Sequence, residues 1–196
     1  MSKSIGFAAR LTELEREIQQ EFEEQVEAKR REFRYQIEKG KIAFERDARA
    51  IHKKLRQGVI SYLWNTPFLS LLVSPLIYSL LVPLVILDIW IWIYQVVCFR
   101  VYRIAMVDRS RYIVLDRGHL QYLNWIERFN CNYCGYANGL IAYVREVAAR
   151  TEQYFCPIKH ARRIQGTHSR YHNFLDFGEA KVYRTRLAKL RAELLP

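Results

Sequence analysis

Four side chains in the last third of the chain have the types and spacing that could bind a metal ion. Two residues separate Cys131 from Cys134, Cys156 comes 22 positions after Cys134, and His160 lies four positions further on. Cysteine thiolates and histidine imidazoles are the usual ligands of tetrahedral zinc, and structural zinc sites take four of them. The pattern therefore predicts a structural zinc site with the ligands Cys131, Cys134, Cys156 and His160.

The segment Cys131–Gly135 resembles the metal-binding knuckles of zinc ribbons and rubredoxins. The resemblance covers five residues and identifies no family, because a rubredoxin has a second Cys-x2-Cys pair where this chain has Cys156 and His160. Iron or an iron–sulfur cluster remains an alternative to zinc, and free buried cysteines are another. His168 and His172 are alternative fourth ligands, since a spacing of four places them on one side of a predicted helix.

The sequence contains no recognisable catalytic motif. There is no His-Glu-x-x-His zinc motif, no Gly-x-Ser-x-Gly nucleophile turn and no glycine-rich phosphate loop. A catalytic zinc would keep one position open for water, and Glu146 or Glu152 could then act as the base. We name no catalytic residue, and interpret the metal as a stabiliser of a small domain whose binding energy contributes to folding.

The cysteine pattern lies in a predicted helical domain at residues 108–196. Apolar side chains recur at helical intervals over His119–Phe129, Asn138–Phe155 and Glu179–Leu195. The one short segment predicted to be a strand is Tyr112–Leu115. The domain is basic, which would let it contact anionic lipid.

A long apolar segment precedes this domain. Val59–Phe99 contains a single charged residue, Asp88, and is about twice the roughly 20 residues needed for one crossing of a bilayer. We predict a membrane hairpin over residues 58–107 with its bend at Ser79–Pro83, because proline interrupts the helical hydrogen bonds. Two full crossings and a re-entrant hairpin are both open. Arginine and lysine flank the segment on both sides, which predicts cytoplasmic termini.

Asp88 has two interpretations. An ionisable residue within a membrane segment is costly and is a functional-site candidate by default. The preferred interpretation places Asp88 near the far membrane interface, since it follows Pro83 by five residues and precedes Trp90 and Trp92.

Residues 1–57 are predicted to form a charged amphipathic arm resembling a coiled coil. The interval 8–56 has no proline and is predicted to be one helix, kinked at Gly40. Its apolar residues recur at spacings of three, four and seven: Leu11, Leu14, Ile18, Phe22, Val26, Phe33, Ile37, Phe44, Ile51 and Leu55. Such a helix needs a partner for its apolar side. It either pairs with a second copy or folds back on the C-terminal domain.

The composition excludes several classes of protein. The 196 residues carry a net charge of +11, and 14% are aromatic. A disordered chain would have fewer aromatic residues, and a disulfide-stapled secreted domain would have more than four cysteines. No apolar core follows the N-terminus, so we predict no secretory signal. We do not expect a nucleic-acid partner, because the basic residues form no recognisable module.

The sequence as a whole predicts a mainly α-helical, membrane-anchored cytoplasmic adaptor or scaffold with a structural zinc site. It would be an integral or monotopic membrane protein. It would bind a second copy of itself or a membrane-protein partner, with anionic lipid as a possible further contact. One alternative is a membrane redox module that uses Cys131, Cys134 and Cys156. Another is an oligomeric hairpin protein that shapes the membrane.

Overall fold

The structure is a computed structural model that describes residues 2–33, 35–38 and 41–196. It is mainly helical over these ranges, with one two-stranded hairpin. The chain divides into two compact units. The first consists of Met1–Phe68 with Leu115–Asn132, and the second of Leu69–Val114 with Tyr133–Pro196.

The first unit begins with the helix α1, Ser2–Glu32. An antiparallel hairpin follows, formed by β1 at Tyr35–Glu38 and β2 at Lys41–Phe44. Two helices come next, α2 at Arg46–Leu55 and α3 at Val59–Asn65.

The prediction of one continuous helix over residues 8–56 is therefore wrong at the hairpin. Tyr35 and Ile37 alternate with polar residues, and Tyr35 lies opposite Phe44 in the register, with ring centroids 5.5 Å apart. A period of two in β-branched and aromatic residues favours a strand. The spacing of seven between Ile37 and Phe44 fits a helix equally well and concealed this signal. The predicted kink at Gly40 lies outside the described residues.

A row of rings packs the hairpin against α2 within the first unit. Phe44 meets His52 edge-on at 4.9 Å, and His52 meets Tyr122 in the same way at 5.3 Å. The Arg56 Nε donates a hydrogen bond to the backbone oxygen of Gln121 at 3.2 Å. These contacts tie the segment after α1 to residues more than 60 positions further along the chain.

The longest element in the C-terminal half is α7, Trp125–Phe155. A reciprocal cap fixes its start: Asn124 Oδ1 accepts from the backbone N–H of Glu127 at 3.0 Å, and Glu127 Oε2 accepts from the N–H of Asn124 at 2.8 Å. Each side chain thus satisfies a backbone donor that the first helical turn leaves free. The separate helices predicted at His119–Phe129 and Asn138–Phe155 are in fact joined in one helix from Trp125.

From Phe68 onward the apolar segment is a single helical run, while α3 at its start is a separate helix. The α4 helix spans Phe68–Ser79, α5 spans Leu81–Tyr94, a π-helical turn covers Gln95–Phe99, and α6 spans Arg100–Tyr102. Together they form one helix of 35 residues that is long and apolar enough to cross a membrane, which we call the apolar helix. The predicted reversal of the chain at Ser79–Pro83 is not seen.

Local hydrogen bonding explains why the prolines do not reverse the chain. Pro75 removes the N–H that would bond to the Leu71 carbonyl, and the Ser74 hydroxyl donates to that carbonyl instead, at 2.8 Å. Pro83 is the third residue of α5, where a backbone N–H has no acceptor within that helix. The helix continues through Leu80, whose carbonyl accepts from the N–H of Leu84 at 3.2 Å.

The core of the second unit is formed by the end of the apolar helix, the segment that follows it, α7 and Leu194, which comes just after the last helix, α8 at Tyr183–Ala192. Its members are Phe99, Ile104, Val107, Leu140, Tyr143, Val147 and Leu194. The predicted helix Glu179–Leu195 is confirmed in its central part. The segment Tyr112–Leu115, predicted to be a strand, does not form one. Tyr112 instead crosses the face of α7 at Gly139. A β-carbon at that glycine would lie 2.5 Å from the Tyr112 carbonyl oxygen.

Candidate functional site

The predicted metal ligands do not come together in the structure. Cys131 and Cys134 lie inside α7, so the segment Cys131–Gly135 is helix and not a metal-binding turn. Cys156 directly follows the last residue of that helix. The 22 positions from Cys134 to Cys156 correspond to about 33 Å of helix. Thiolates that share a zinc ion each lie about 2.3 Å from it, so these two cannot bind the same ion.

The histidines near Cys156 have other neighbours. The His160 ring stacks on Tyr171 with centroids 6.3 Å apart, and His168 Nε2 lies 3.0 Å from a carboxylate oxygen of Glu152. Across residues 2–33, 35–38 and 41–196, no three side chains of the metal-ligating types could hold one ion. The predicted Cys3His site is therefore not formed by the described part of the chain.

The polar group that the structure does assemble is centred on Asp88, near the middle of the apolar helix. Arg109 donates two hydrogen bonds to its carboxylate, from Nε to Oδ1 at 3.0 Å and from Nη2 to Oδ2 at 2.6 Å. The Tyr136 hydroxyl of α7 donates to Oδ2 at 3.0 Å. The Asp88 side chain is 14% exposed and the Arg109 side chain 45% exposed. We call these three residues the Asp88 cluster.

A second polar contact lies two turns further along the apolar helix. Gln95 is buried, its amide nitrogen donates to the Tyr143 hydroxyl, and its Oε1 accepts from the backbone N–H of Val107 at 2.8 Å. Tyr94 adds a hydroxyl contact to Thr151 of α7 at 3.0 Å. Since a buried amide without partners is costly, these bonds fix the rotation of the apolar helix within the second unit.

The apolar helix therefore has two different sides. The side that carries Asp88 and Gln95 is covered, and includes the partly or fully buried residues Leu84, Ile91 and Phe99. The other side is bare and apolar along the whole helix. We call it the exposed stripe; its residues are 55% to 74% exposed and comprise Leu69, Leu72, Leu76, Leu80, Ile86, Trp90, Val97 and Val101.

A third polar group, made of charged side chains, links α7 to the segment after it. Glu146 accepts hydrogen bonds from Arg150 at 2.9 Å and from Arg170 at 2.7 Å. Burial alone would raise the pKa of Glu146, but the bonds from Arg170 and Arg150 outweigh it and the pKa lies below its ordinary value. Glu146 is thus ionised at neutral pH and held by two guanidinium groups, an arrangement typical of a structural ion pair.

The chemistry of these groups is that of attachment. Asp88 has its charge compensated by Arg109, and the cluster consists of a carboxylate, a guanidinium and a phenol hydroxyl. The sequence marks Asp88 as a functional-site candidate, with a position near the far membrane interface as the preferred interpretation, but does not indicate Arg109 and Tyr136 as its partners. A lone carboxylate in an apolar helix requires a cationic partner, and that requirement was the available signal. This requirement does not indicate which of the many arginines supplies the positive charge.

No known protein family, curated protein or solved structure matches this chain. The geometry of the second unit and the patterns in the sequence are therefore the grounds for a function.

Replacing Asp88 and Arg109 tests the central ion pair by a double-mutant cycle. We expect Asp88→Asn and Arg109→Gln each to lower the free energy of unfolding by about 1–2 kcal/mol, because each leaves its partner with an unmatched charge. Together they should cost less than the sum of the two. The measurement is denaturant unfolding of the full chain in detergent, followed by far-ultraviolet circular dichroism.

Arg111→Gln is the matched control for that cycle. Arg111 is exposed and forms no ion pair within the described ranges, so its loss should change the free energy of unfolding by less than about 0.5 kcal/mol. Additive effects of Asp88→Asn and Arg109→Gln would show that the two side chains do not interact.

Proposed function

We propose that this protein is a membrane-anchored adaptor or scaffold. The apolar helix is its anchor, and the remainder of the second unit is a domain fastened to that anchor. The observation that carries the proposal is the exposed stripe. Eight large apolar side chains in a row along one side of a helix are costly in water, and such a surface marks a membrane or protein contact.

A bilayer accounts for the exposed stripe better than a protein groove does. The stripe extends along a helix of 35 residues, and this helix carries only one acidic residue, which is ion-paired on the opposite side. Basic residues flank the segment at both ends, as at Arg56 and Arg100, which favours the same side of the membrane for both flanks. A helix that lies along one membrane face, with its exposed stripe toward the acyl chains and the second unit covering its other side, satisfies both observations.

The adaptor role depends on α1, which lies outside the anchor. Leu14, Ile18 and Phe22 follow one another at spacings of four and are 52% to 64% exposed. The neighbouring polar side chains form ion pairs within the helix, such as Arg16 with Glu13 and Lys29 with Glu32. The apolar side of α1 is thus left to a partner, and we propose that the partner is α1 of a second copy, as in a coiled coil.

Lysine substitutions in the exposed stripe test the anchor. Leu72→Lys with Leu76→Lys should release the expressed protein from membranes during alkaline carbonate extraction, because each lysine disfavours insertion by about 3 kcal/mol. Both positions are exposed and make no core contact, so the fold should survive.

The control for the anchor places the same two charges at exposed loop positions, Gln165→Lys with Thr167→Lys. This variant and the wild type should stay in the membrane pellet. Extraction of the wild type, or full retention of the Leu72→Lys, Leu76→Lys variant, would refute the anchor.

Charged substitutions in α1 test self-association. In detergent, light scattering coupled to size-exclusion chromatography should give more than one chain per particle for the wild type. Leu14→Glu with Phe22→Glu should reduce this to one chain, because carboxylates would face each other across the paired helices. Gln19→Glu with Gln20→Glu adds the same charge at exposed polar positions and should leave the mass unchanged. A wild type with one chain per particle would contradict the pairing.

A further inference from the structure

The apolar helix ends in a group of rings and guanidinium groups. Its last residue is Tyr102, whose ring centroid lies 5.2 Å from that of Tyr154 and 5.1 Å from that of Phe155. The Arg191 guanidinium stacks over the Tyr154 ring at 4.6 Å. Its Nε also donates to the backbone oxygen of Tyr154 at 2.8 Å, so α7 holds this side chain of α8 in place.

Two further arginines flank Tyr102 in the sequence. Arg100 and Arg103 are both exposed, and Arg103 is the residue at which the helix stops. In the described part of the chain, neither they nor Arg191 pairs with a carboxylate. Arg109, Arg150 and Arg170 of the same unit all do so. Among the described residues, the end of the apolar helix therefore carries two exposed arginines without a carboxylate partner, and the rings of Tyr102 and Tyr154 connect it to a third, Arg191.

We propose that this end-of-helix cluster, formed by Arg100, Tyr102, Arg103, Tyr154, Phe155 and Arg191, binds the headgroup phosphate of an anionic phospholipid. The inference rests on the proposed membrane anchor and names the lipid that the anchor prefers.

Three features of the cluster fit a phospholipid headgroup. Guanidinium groups form paired hydrogen bonds to phosphate oxygens. Tyr102 and Phe155 are 38% and 45% exposed, and tyrosine is enriched at the membrane–water interface. The exposed stripe ends at Val97 and Val101, directly before Tyr102, so a lipid whose acyl chains contact this end of the stripe would have its headgroup near Arg100 and Arg103. A soluble phosphate would use the charge but not this apolar continuation.

The test compares partitioning of the full-length protein between detergent micelles and two kinds of vesicle. One kind is phosphatidylcholine alone, and the other also contains phosphatidylglycerol. The wild type should prefer the anionic vesicles. The variant Arg100→Gln, Arg103→Gln, Arg191→Gln should lose that preference, by about fivefold for each arginine. Its circular dichroism spectrum should match that of the wild type.

The matched control removes three exposed arginines from elsewhere in the second unit: Arg162→Gln, Arg163→Gln and Arg184→Gln. Net charge falls equally in both variants, so the control should keep most of the anionic preference. An equal loss in the two variants would overturn the proposal in favour of diffuse attraction. Abolition of the preference by inorganic phosphate at constant ionic strength would overturn it in favour of a soluble anion.

Binding to phosphatidylcholine vesicles reports the anchor separately. The triple arginine variant should bind them as the wild type does, because the exposed stripe is unchanged. Failure of the wild type to enter phosphatidylcholine vesicles would count against the membrane anchor itself. Lipid selectivity is read from the ratio between the two vesicle types, so the two failures are distinguishable.

Discussion

A carboxylate in the middle of an apolar helix must be compensated, and the second unit is arranged around that requirement. The Asp88 carboxylate accepts two hydrogen bonds from Arg109 and a third from Tyr136. Arg109 comes from the chain after the apolar helix, so this segment must turn back along the helix to reach Asp88. Tyr136 comes from α7, which must therefore lie alongside as well. One charge thus brings two later segments to the same side of the helix.

That arrangement determines which side of the apolar helix stays exposed. The buried Gln95 and the core residue Phe99 continue the covered side beyond Asp88, and α7 supplies Leu140 and Tyr143 against it. Among the described residues, the opposite side has no comparable partner, and its apolar side chains stay exposed. The proposed anchor would use this division, with lipid on the exposed side and protein on the other.

The sequence predicted those features that depend on composition over long stretches. The apolar character of Phe68–Tyr102, the helical spacing of α1 and α7, and Asp88 as an isolated charge all follow from the order of residue types. The hairpin at Tyr35–Phe44 was missed because seven-residue spacing suits a helix and a pair of strands alike.

The zinc site was predicted from cysteine spacing, and that spacing carries no information on whether the chain between the cysteines turns or stays helical. Here it stays helical because Asn124 and Glu127 cap a long helix that no proline interrupts. The partners of Asp88 depend on tertiary contacts over 21 and 48 positions, which local patterns do not encode.

The central claim is that one side of the apolar helix meets lipid while the other is covered by the second unit. Spin labels on single cysteines in the full chain, in bilayers and with the native cysteines replaced, test this through collisions with oxygen and with a water-soluble nickel complex. Labels at Ile86, Trp90 and Val97 should collide frequently with oxygen and rarely with nickel. Labels at Leu84 and Ile91 should be protected from both reagents. Equally high oxygen accessibility at all five positions would show a helix surrounded by lipid, and would contradict the account.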